Sequence, residues 1–218
     1  MKNIVIISAD RCGSTALQQH ILGNNLNNDS MVWLGECFNT KMSQNVPYNP
    51  EKYPPKSVIN SINQGTGKNV IVKILLTYSN YDNRFLEINS DQNIFFHRNF
   101  FDSSLSRAIA QQTGTWFRFQ HTPETTVERI EIPLEVFEEK LEWRLSCYGN
   151  HIDDIIKWHN KFYRYENFNF NKKVNIRKNP DKEKQIINYA ELKEAYKNYK
   201  VFIDQIEEKI SKCKEFIL

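Results

Sequence analysis

The sequence has few of the residues that define unusual protein classes. Only seven glycines and seven prolines occur in 218 residues, which excludes collagen-like and low-complexity chains. No hydrophobic run in the sequence approaches the roughly 18 residues of a membrane-spanning helix. The apolar run Ile4-Val5-Ile6-Ile7 is too short for the core of a secretory signal, and Asp10-Arg11 follows it closely. We therefore expect no membrane span and a cytoplasmic location.

Cysteines are also few, and neither sign of charge is in large excess. Cys12, Cys37, Cys147 and Cys213 form no CxxC pair and are too widely spaced for a zinc ribbon, so we expect free thiols and no metal site. The 29 basic and 26 acidic residues give a net charge of only +3. A protein held to nucleic acid by phosphate contacts usually carries a larger or more clustered basic excess. We therefore expect no nucleic-acid partner.

Short apolar runs alternate with helical periodicity along a chain that is long enough for one domain, residues 1–218. Five strands are predicted, at residues 2–8, 31–34, 70–76, 93–97 and 161–165. Helices are predicted from residue 16, within 102–112 with Asp102 or Ser103 as N-cap, at 134–145, at 152–159 and through the C-terminal third. Residues 40–68 are predicted to be a long connection with one helical turn near 58–62, and 117–130 a polar loop. This order indicates a three-layer α/β fold, with a mostly parallel central sheet and helices on both faces.

The first predicted strand leads into a tight turn and then into hydroxyl residues at a helix start. The turn reads Ser8-Ala9-Asp10-Arg11-Cys12-Gly13-Ser14-Thr15. Helix N-termini present N–H groups and a partial positive charge to phosphate or sulfate, and Arg11 adds a permanent cation. The segment is not a Walker A loop, which requires a lysine where Gly13 stands, and it is not GxGxxG. The simpler interpretation is an ordinary β–α turn capped by Ser14.

A second cation stands at the end of a later predicted strand. Arg98 ends the strand at 93–97, and Ser106 follows eight residues later on the next predicted helix. Ligands of open α/β sheets collect at the carboxyl ends of the strands, so we expect Arg11 and Arg98 to share one edge. An arginine with a hydroxyl suits a second, terminal phosphate. For Arg98 taken alone, a solvated charge at the end of a strand is the simpler interpretation.

These segments resemble sulfotransferases that use 3′-phosphoadenosine-5′-phosphosulfate (PAPS). Residues 11–15 resemble the loop that binds the 5′-phosphosulfate, and Arg98 with Ser106 resembles the 3′-phosphate motif. Residues 34–39, 111–116, 165–168, 177–180 and 188–192 are similar to bacterial carbohydrate sulfotransferases of the trehalose 2-sulfotransferase and nodulation-factor type. Cys12 departs from the serine common in the family, and the region between Trp116 and Phe162 shows no match.

The resemblance implies a P-loop-NTPase-like sulfotransferase fold and an enzyme that transfers a sulfuryl group from PAPS to a carbohydrate or glycolipid hydroxyl. It implies that Arg11 neutralises the developing charge, and that Arg11, Cys12, Gly13, Ser14 and Thr15 hold the 5′-phosphate. Arg98 and Ser106 then hold the 3′-phosphate, with Arg177 or Lys178 as a lid contact. No metal is implied, the loops at 40–68 and 117–130 are expected to line the acceptor side, and a homodimer is compatible with the family.

Glu36 is the expected general base, because the resemblance places the family's catalytic carboxylate at this position. A surface glutamate after a turn is the simpler interpretation of the residue alone. His97, beside Arg98, is the second candidate base.

Two other functions remain open on the sequence. One is an atypical P-loop kinase using ATP and Mg²⁺, and the other is a catalytically inactive nucleotide-binding protein of the same fold. The missing Walker lysine and the spacing of Arg98 and Ser106 favour the sulfotransferase.

Overall fold

A computed structural model of the chain describes residues 3–24, 31–38, 49, 51–77, 81–114, 129–169 and 182–215. Their strands form one five-stranded sheet in the order β2-β3-β1-β4-β5, and every neighbouring pair is parallel. The strands are β1 (Ile4–Ser8), β2 (Met31–Gly35), β3 (Asn69–Leu75), β4 (Gln92–His97) and β5 (Lys161–Arg164). All five predicted strands are confirmed. The sheet buries β1 and β3 almost completely, whereas the edge strand β2 is only half-buried.

Seven α-helices occur within the described residues. They are α1 (Ser14–Asn24), α2 (Pro55–Thr66), α3 (Phe100–Thr113), α4 (Leu134–Trp158), α5 (Lys182–Gln185), α6 (Tyr189–Lys197) and α7 (Lys200–Ser211). Of the helices described, none combines the length and the apolar character that crossing a membrane requires.

Helices cover both faces of the sheet. In the strand register Ile6 lies beside Lys73, and Ile7 lies beside Phe95. Because successive side chains of a strand point to opposite faces, Lys73 and Phe95 face opposite ways. The Lys73 face meets Thr15 of α1 through a hydrogen bond. On the other face, the ring of Phe95 packs against Tyr148 of α4. The expected three-layer α/β arrangement is therefore confirmed.

The long connection predicted at 40–68 is wrong over its second half, where the twelve-residue helix α2 stands. Pro55 occupies the first turn, where a missing N–H costs nothing. Gly67 ends the helix in the left-handed conformation, with φ of 66°, and donates its N–H to the Asn63 carbonyl. Pro55 and Gly67 are thus the start and stop signals of a helix, and this helix buries Ile59. Residues 40–48 and 50 lie outside the described residues.

Two predicted helix boundaries also differ from the structure. The helices expected at 134–145 and 152–159 are one helix, α4, of 25 residues. Gly149 lies within it, and since a helix tolerates a single glycine at a cost of about 1 kcal/mol, the glycine does not divide it. Helix α3 is capped by Asn99, whose side chain accepts from the Asp102 N–H. Asp102 therefore lies in the first turn rather than at the cap.

The helices predicted in the C-terminal third are confirmed over its described part, as α5, α6 and α7. Ile203, Ile206, Ile210 and Cys213 are buried, and α7 packs on α4. All four cysteines are free thiols, as expected.

Candidate functional site

The turn between β1 and α1 adopts an unusual backbone. Arg11 has a φ of 59° and Gly13 a φ of 83°, so two residues of the turn are left-handed. A Cβ at Gly13 would lie 2.6 Å from Cε2 of Tyr165, which makes glycine necessary for both conformation and space. The Leu17 N–H donates to the Gly13 carbonyl, so the N–H groups that precede it in α1 have no acceptor in the helix ladder. The turn has the form of an anion cradle at a helix N-terminus.

Asp10 anchors this turn through a buried ion network. Arg144 of α4 is fully buried, and its Nη2 lies 2.9 Å from Asp10 Oδ1 while its Nη1 donates to the Asp10 carbonyl at 2.9 Å. Arg107 of α3 contacts the other carboxylate oxygen. Burial, together with repulsion from Arg144, lowers the pKa of Arg107 to about 10. The turn is therefore fixed from α3 and α4 before any ligand arrives.

Cys12 faces the protein interior rather than the cradle. Its side chain is fully buried, and Sγ lies 3.9 Å from Arg144 Nη1. Burial raises the pKa of the Cys12 thiol although Arg144 acts in the opposite direction, so the thiol stays neutral near pH 7. A cysteine in place of serine adds no negative charge to the turn and leaves its backbone N–H groups unchanged.

The ends of β1 and β4 meet, as the sequence predicts. Arg98 Nη1 donates to the Arg11 carbonyl at 3.2 Å, and Arg11 Nε donates to Ser106 Oγ at 3.4 Å. The structure thus joins Arg11, Arg98 and Ser106 in one group beside the cradle. Arg177 and Lys178, the expected lid contacts, lie outside the described residues.

Arg98 is held by the segment that follows β5. Its guanidinium lies 4.4 Å from the ring centroid of Tyr165, the same ring that requires Gly13 to be glycine. Glu166 Oε1 accepts from the Asn99 backbone N–H and from Asn99 Nδ2, at 3.0 and 2.7 Å. Towards the described part of the chain, the Arg98 side chain donates one hydrogen bond, to the Arg11 carbonyl, and its buried Nε has no partner there. Most of its five donors are therefore unused by the described residues.

Lys182 is a third cation of this group, and the sequence reasoning missed it. Its Nζ donates to Asp102 Oδ1 at 2.8 Å and to the Asp102 carbonyl at 3.0 Å. Burial, followed by repulsion from Arg98, lowers the pKa of Lys182 to about 8. Although burial alone would raise it, the Lys182 ammonium holds the pKa of Asp102 below its usual value. No local pattern marks Lys182, because it lies 84 positions beyond Arg98 (182 − 98) and reaches the site only through the fold.

Glu36 lies on the other side of the cradle and is paired with a lysine. It follows Gly35, whose φ is 55°, at the end of β2. Glu36 Oε1 lies 2.5 Å from Lys73 Nζ, which also donates to Thr15 Oγ1 at 2.7 Å. Lys73 was missed, although a signal exists: it is the single charged residue in the apolar run of β3. The structure thus brings the candidate base and the cradle hydroxyl Thr15 to one ammonium.

His97 does not reach this site. Its ring is fully buried, with Nδ1 at 3.0 Å from the Tyr148 hydroxyl and Nε2 at 2.8 Å from Glu207 Oε1. Burial would raise the pKa of Glu207, but the hydrogen bond from His97 and the charge of Arg164 hold it low. Since an ionised carboxylate only accepts, Nε2 of the ring carries the hydrogen that is donated to Glu207. Both ring nitrogens make hydrogen bonds within the protein. The prediction of His97 as a second candidate base is therefore corrected: the residue packs between β4 and α7.

No protein-family model and no curated protein matches the sequence. Among the described residues, no group of three or more His, Cys, Asp or Glu side chains is placed to hold a metal ion.

We predict that Asp10→Asn destabilises the protein by about 3–5 kcal/mol, because it removes the charge that balances the buried Arg144 guanidinium. Asp153→Asn is the matched control, since Asp153 pairs with Lys209 at the surface, where its side chain is 62% exposed, and such pairs contribute about 0–1 kcal/mol. Urea unfolding measures both. Equal stability losses in the two variants would show that the Asp10 network does not anchor the turn.

Proposed function

We propose that the protein is a PAPS-dependent sulfotransferase that sulfates a hydroxyl of a carbohydrate or glycolipid, on a P-loop-like α/β fold. One observation carries the proposal: the Arg98 guanidinium, at the end of β4, donates to the carbonyl of Arg11 in the cradle that ends β1. Two anion sites therefore adjoin each other at one edge of the sheet. A nucleotide with phosphate groups on both its 5′ and its 3′ positions has the charge distribution that suits them.

The residues of both sites fit such a nucleotide. For the 5′ side, the helix N-terminus of α1 supplies N–H groups and Thr15 supplies a hydroxyl. For the 3′ side, Arg98 has a buried Nε without a partner, Ser106 supplies a hydroxyl, and Lys182 adds an ammonium. The nearby carboxylate of Asp102 already pairs with Lys182, which limits its repulsion of a phosphate. An arginine and a lysine beside one another are the usual ligands of a phosphate dianion.

The chemistry assigned to each residue follows from its place. PAPS supplies the sulfuryl group on its 5′-phosphate. Glu36 accepts the proton of the acceptor hydroxyl, whose oxygen bonds to sulfur as the bond from sulfur to the phosphate oxygen breaks. The electron pair of that bond stays on the phosphate oxygen, and Arg11 with the α1 N-terminus stabilises the charge. Positioning and electrostatics supply most of the catalysis in such in-line transfers.

A carbohydrate acceptor is supported by an aromatic side chain near the candidate base. Trp33 is 52% exposed on the edge strand β2, and its Nε1 lies 3.8 Å from the position of a Cβ at Gly35. Its indole therefore extends towards the end of the strand that carries Glu36. An exposed aromatic face suits the apolar face of a sugar ring. Residues 115–128, expected to line the acceptor side, lie outside the described residues.

We predict that adenosine 3′,5′-bisphosphate raises the melting temperature more than ATP–Mg²⁺ does, because it alone fills both anion sites. A ligand at 100 times its Kd stabilises the fold by about 2.7 kcal/mol. Arg98→Ala is expected to weaken the bisphosphate roughly 10- to 100-fold, the scale of a charged hydrogen bond. Arg84→Ala is the control, since Arg84 pairs with Asp82 away from the site. Stabilisation by ATP–Mg²⁺ alone would replace the proposal with a kinase.

We predict that Glu36→Gln binds the bisphosphate at least as tightly as the wild type, because it removes a negative charge near the cradle. The same variant is expected to lose sulfuryl transfer by roughly 100-fold or more, the contribution of a general base. Transfer of radiolabelled sulfate from PAPS to a panel of sugars measures the loss. Glu183→Gln, on the short helix α5, is the matched control. Unchanged turnover in Glu36→Gln would remove the residue from the base role.

We predict that bisphosphate affinity falls as the pH rises through about 8. The sign follows from Lys182, whose pKa of about 8 in the free protein rises when a dianion binds beside it, so that binding takes up a proton as the free lysine loses its charge. Lys182→Arg keeps a cation at all these pH values and is expected to flatten the dependence between pH 7 and 9. Isothermal titration in buffers of different ionisation enthalpy measures the proton uptake. An identical pH dependence in both proteins would contradict this assignment.

A further inference from the structure

Lys73 is a buried lysine between two residues of the proposed site. It lies on β3, is 5% exposed, and its ammonium contacts Glu36 of β2 and Thr15 of α1. Burying an ammonium without partners is costly, so this position is held by its two contacts. An apolar residue would fill the same place in a strand that is otherwise apolar. The charge therefore requires an explanation beyond packing.

The direction of the hydrogen bonds provides one. An ammonium has three donors and no acceptor, so Thr15 Oγ1 must accept from Lys73 Nζ. The hydroxyl hydrogen of Thr15 is then directed elsewhere, and Thr15 lies in the first turn of α1, where the cradle binds an anion. With Lys73 as its donor, the Thr15 hydroxyl keeps its hydrogen for an acceptor such as an anion in the cradle. Without Lys73, the hydroxyl could rotate to donate to Glu36 or to a helix carbonyl instead.

The second contact links the same ammonium to the candidate base. While Glu36 is ionised, its carboxylate balances the charge of Lys73. When Glu36 takes the proton of the acceptor hydroxyl, its negative charge disappears, and the positive charge of Lys73 is no longer balanced by it. At the same moment the electron pair of the breaking bond adds negative charge to the phosphate oxygen in the cradle. The two changes compensate, and no further reactant is needed.

We propose that Lys73 is a positioning residue that couples the base Glu36 to the phosphate cradle, by orienting the Thr15 hydroxyl towards the donor's 5′-phosphate. The inference rests on the proposed function, since it assigns the ligand of the cradle as the 5′-phosphate of the nucleotide. It goes beyond that function in giving a β3 lysine, which touches neither substrate, a part in binding the donor. If Lys73 only filled a buried space, its replacement would lower the stability of the fold and would not change the contribution of Thr15 to bisphosphate affinity.

A double-mutant cycle tests the coupling without an acceptor substrate. The affinity of adenosine 3′,5′-bisphosphate is measured by isothermal titration for the wild type, Lys73→Met, Thr15→Val and the double variant. Each single variant is expected to bind about tenfold more weakly, since each loses one hydrogen bond to a charged phosphate. The double variant is expected to bind no more weakly than the weaker single variant, because both changes remove the same hydrogen bond. Lys68→Met, an exposed lysine just before β3, is the matched control and is expected to bind as the wild type does.

The outcomes separate this inference from the proposed function. Absence of bisphosphate binding by the wild type would overturn the function itself. Binding by the wild type with full affinity in Lys73→Met, or with losses that multiply in the double variant, would overturn only the role of Lys73. Circular dichroism and thermal unfolding check each variant. If Lys73→Met does not fold, Lys73→Gln replaces it in the same cycle, because its uncharged and shorter side chain cannot reach both Thr15 and Glu36.

Discussion

The buried ion pair between Arg144 and Asp10 is the interaction on which the rest of the site depends. It connects the middle of α4 to the turn after β1, and the same guanidinium also donates to the Ser103 carbonyl of α3 at 3.4 Å. A charge pair this deep contributes little net stability compared with apolar packing. The ion pair mainly fixes geometry, because two guanidinium hydrogen bonds to Asp10 allow a single arrangement of the turn. The left-handed Arg11, the place of Gly13 against Tyr165 and the inward Cys12 are all consistent with that one arrangement.

Much of the fold can be predicted from the sequence, and the reason is physical. Buried parallel strands are continuous apolar runs, so β1, β3 and β4 are visible without any tertiary information. Only one turn of α2 was predicted, near residues 58–62, because the signals of the helix lie at its ends, in Pro55 and Gly67, and its only buried apolar side chains are those of Pro55 and Ile59. Helix α4 was instead predicted as two helices, at 134–145 and 152–159. The buried Tyr148 lies between the two stretches and makes the packed face of the helix continuous.

The residues of the candidate site also fall into two groups, those that the sequence predicts and those that only the fold brings together. Arg11 and Arg98 were predicted to lie together because each follows the end of a predicted strand, and parallel strands end at one edge. Glu36 was predicted from the resemblance to sulfotransferases. Arg144, Lys73 and Lys182 were not, because their functions depend on which elements become neighbours. His97 illustrates the limit of position in the sequence: it is adjacent to Arg98, yet the alternation of side chains along β4 turns it towards Tyr148 and Glu207. A charged residue inside an apolar stripe, as at Arg144 and Lys73, is the one signal that could have identified two of the three.

The distribution of charge in the site explains why the small net charge of +3 is compatible with binding a polyanion. Each of the two lysines that border the cradle is paired with a carboxylate, Lys73 with Glu36 and Lys182 with Asp102. These pairs stabilise buried cations while the site holds no anion, which would otherwise cost several kcal/mol for each charge. In the proposed function, an arriving phosphate exchanges partners with charges that are already desolvated, instead of drawing solvated lysines from the surface. A few cations are then enough to bind the phosphates of the proposed nucleotide, because the fold and not the ligand has compensated the cost of their desolvation.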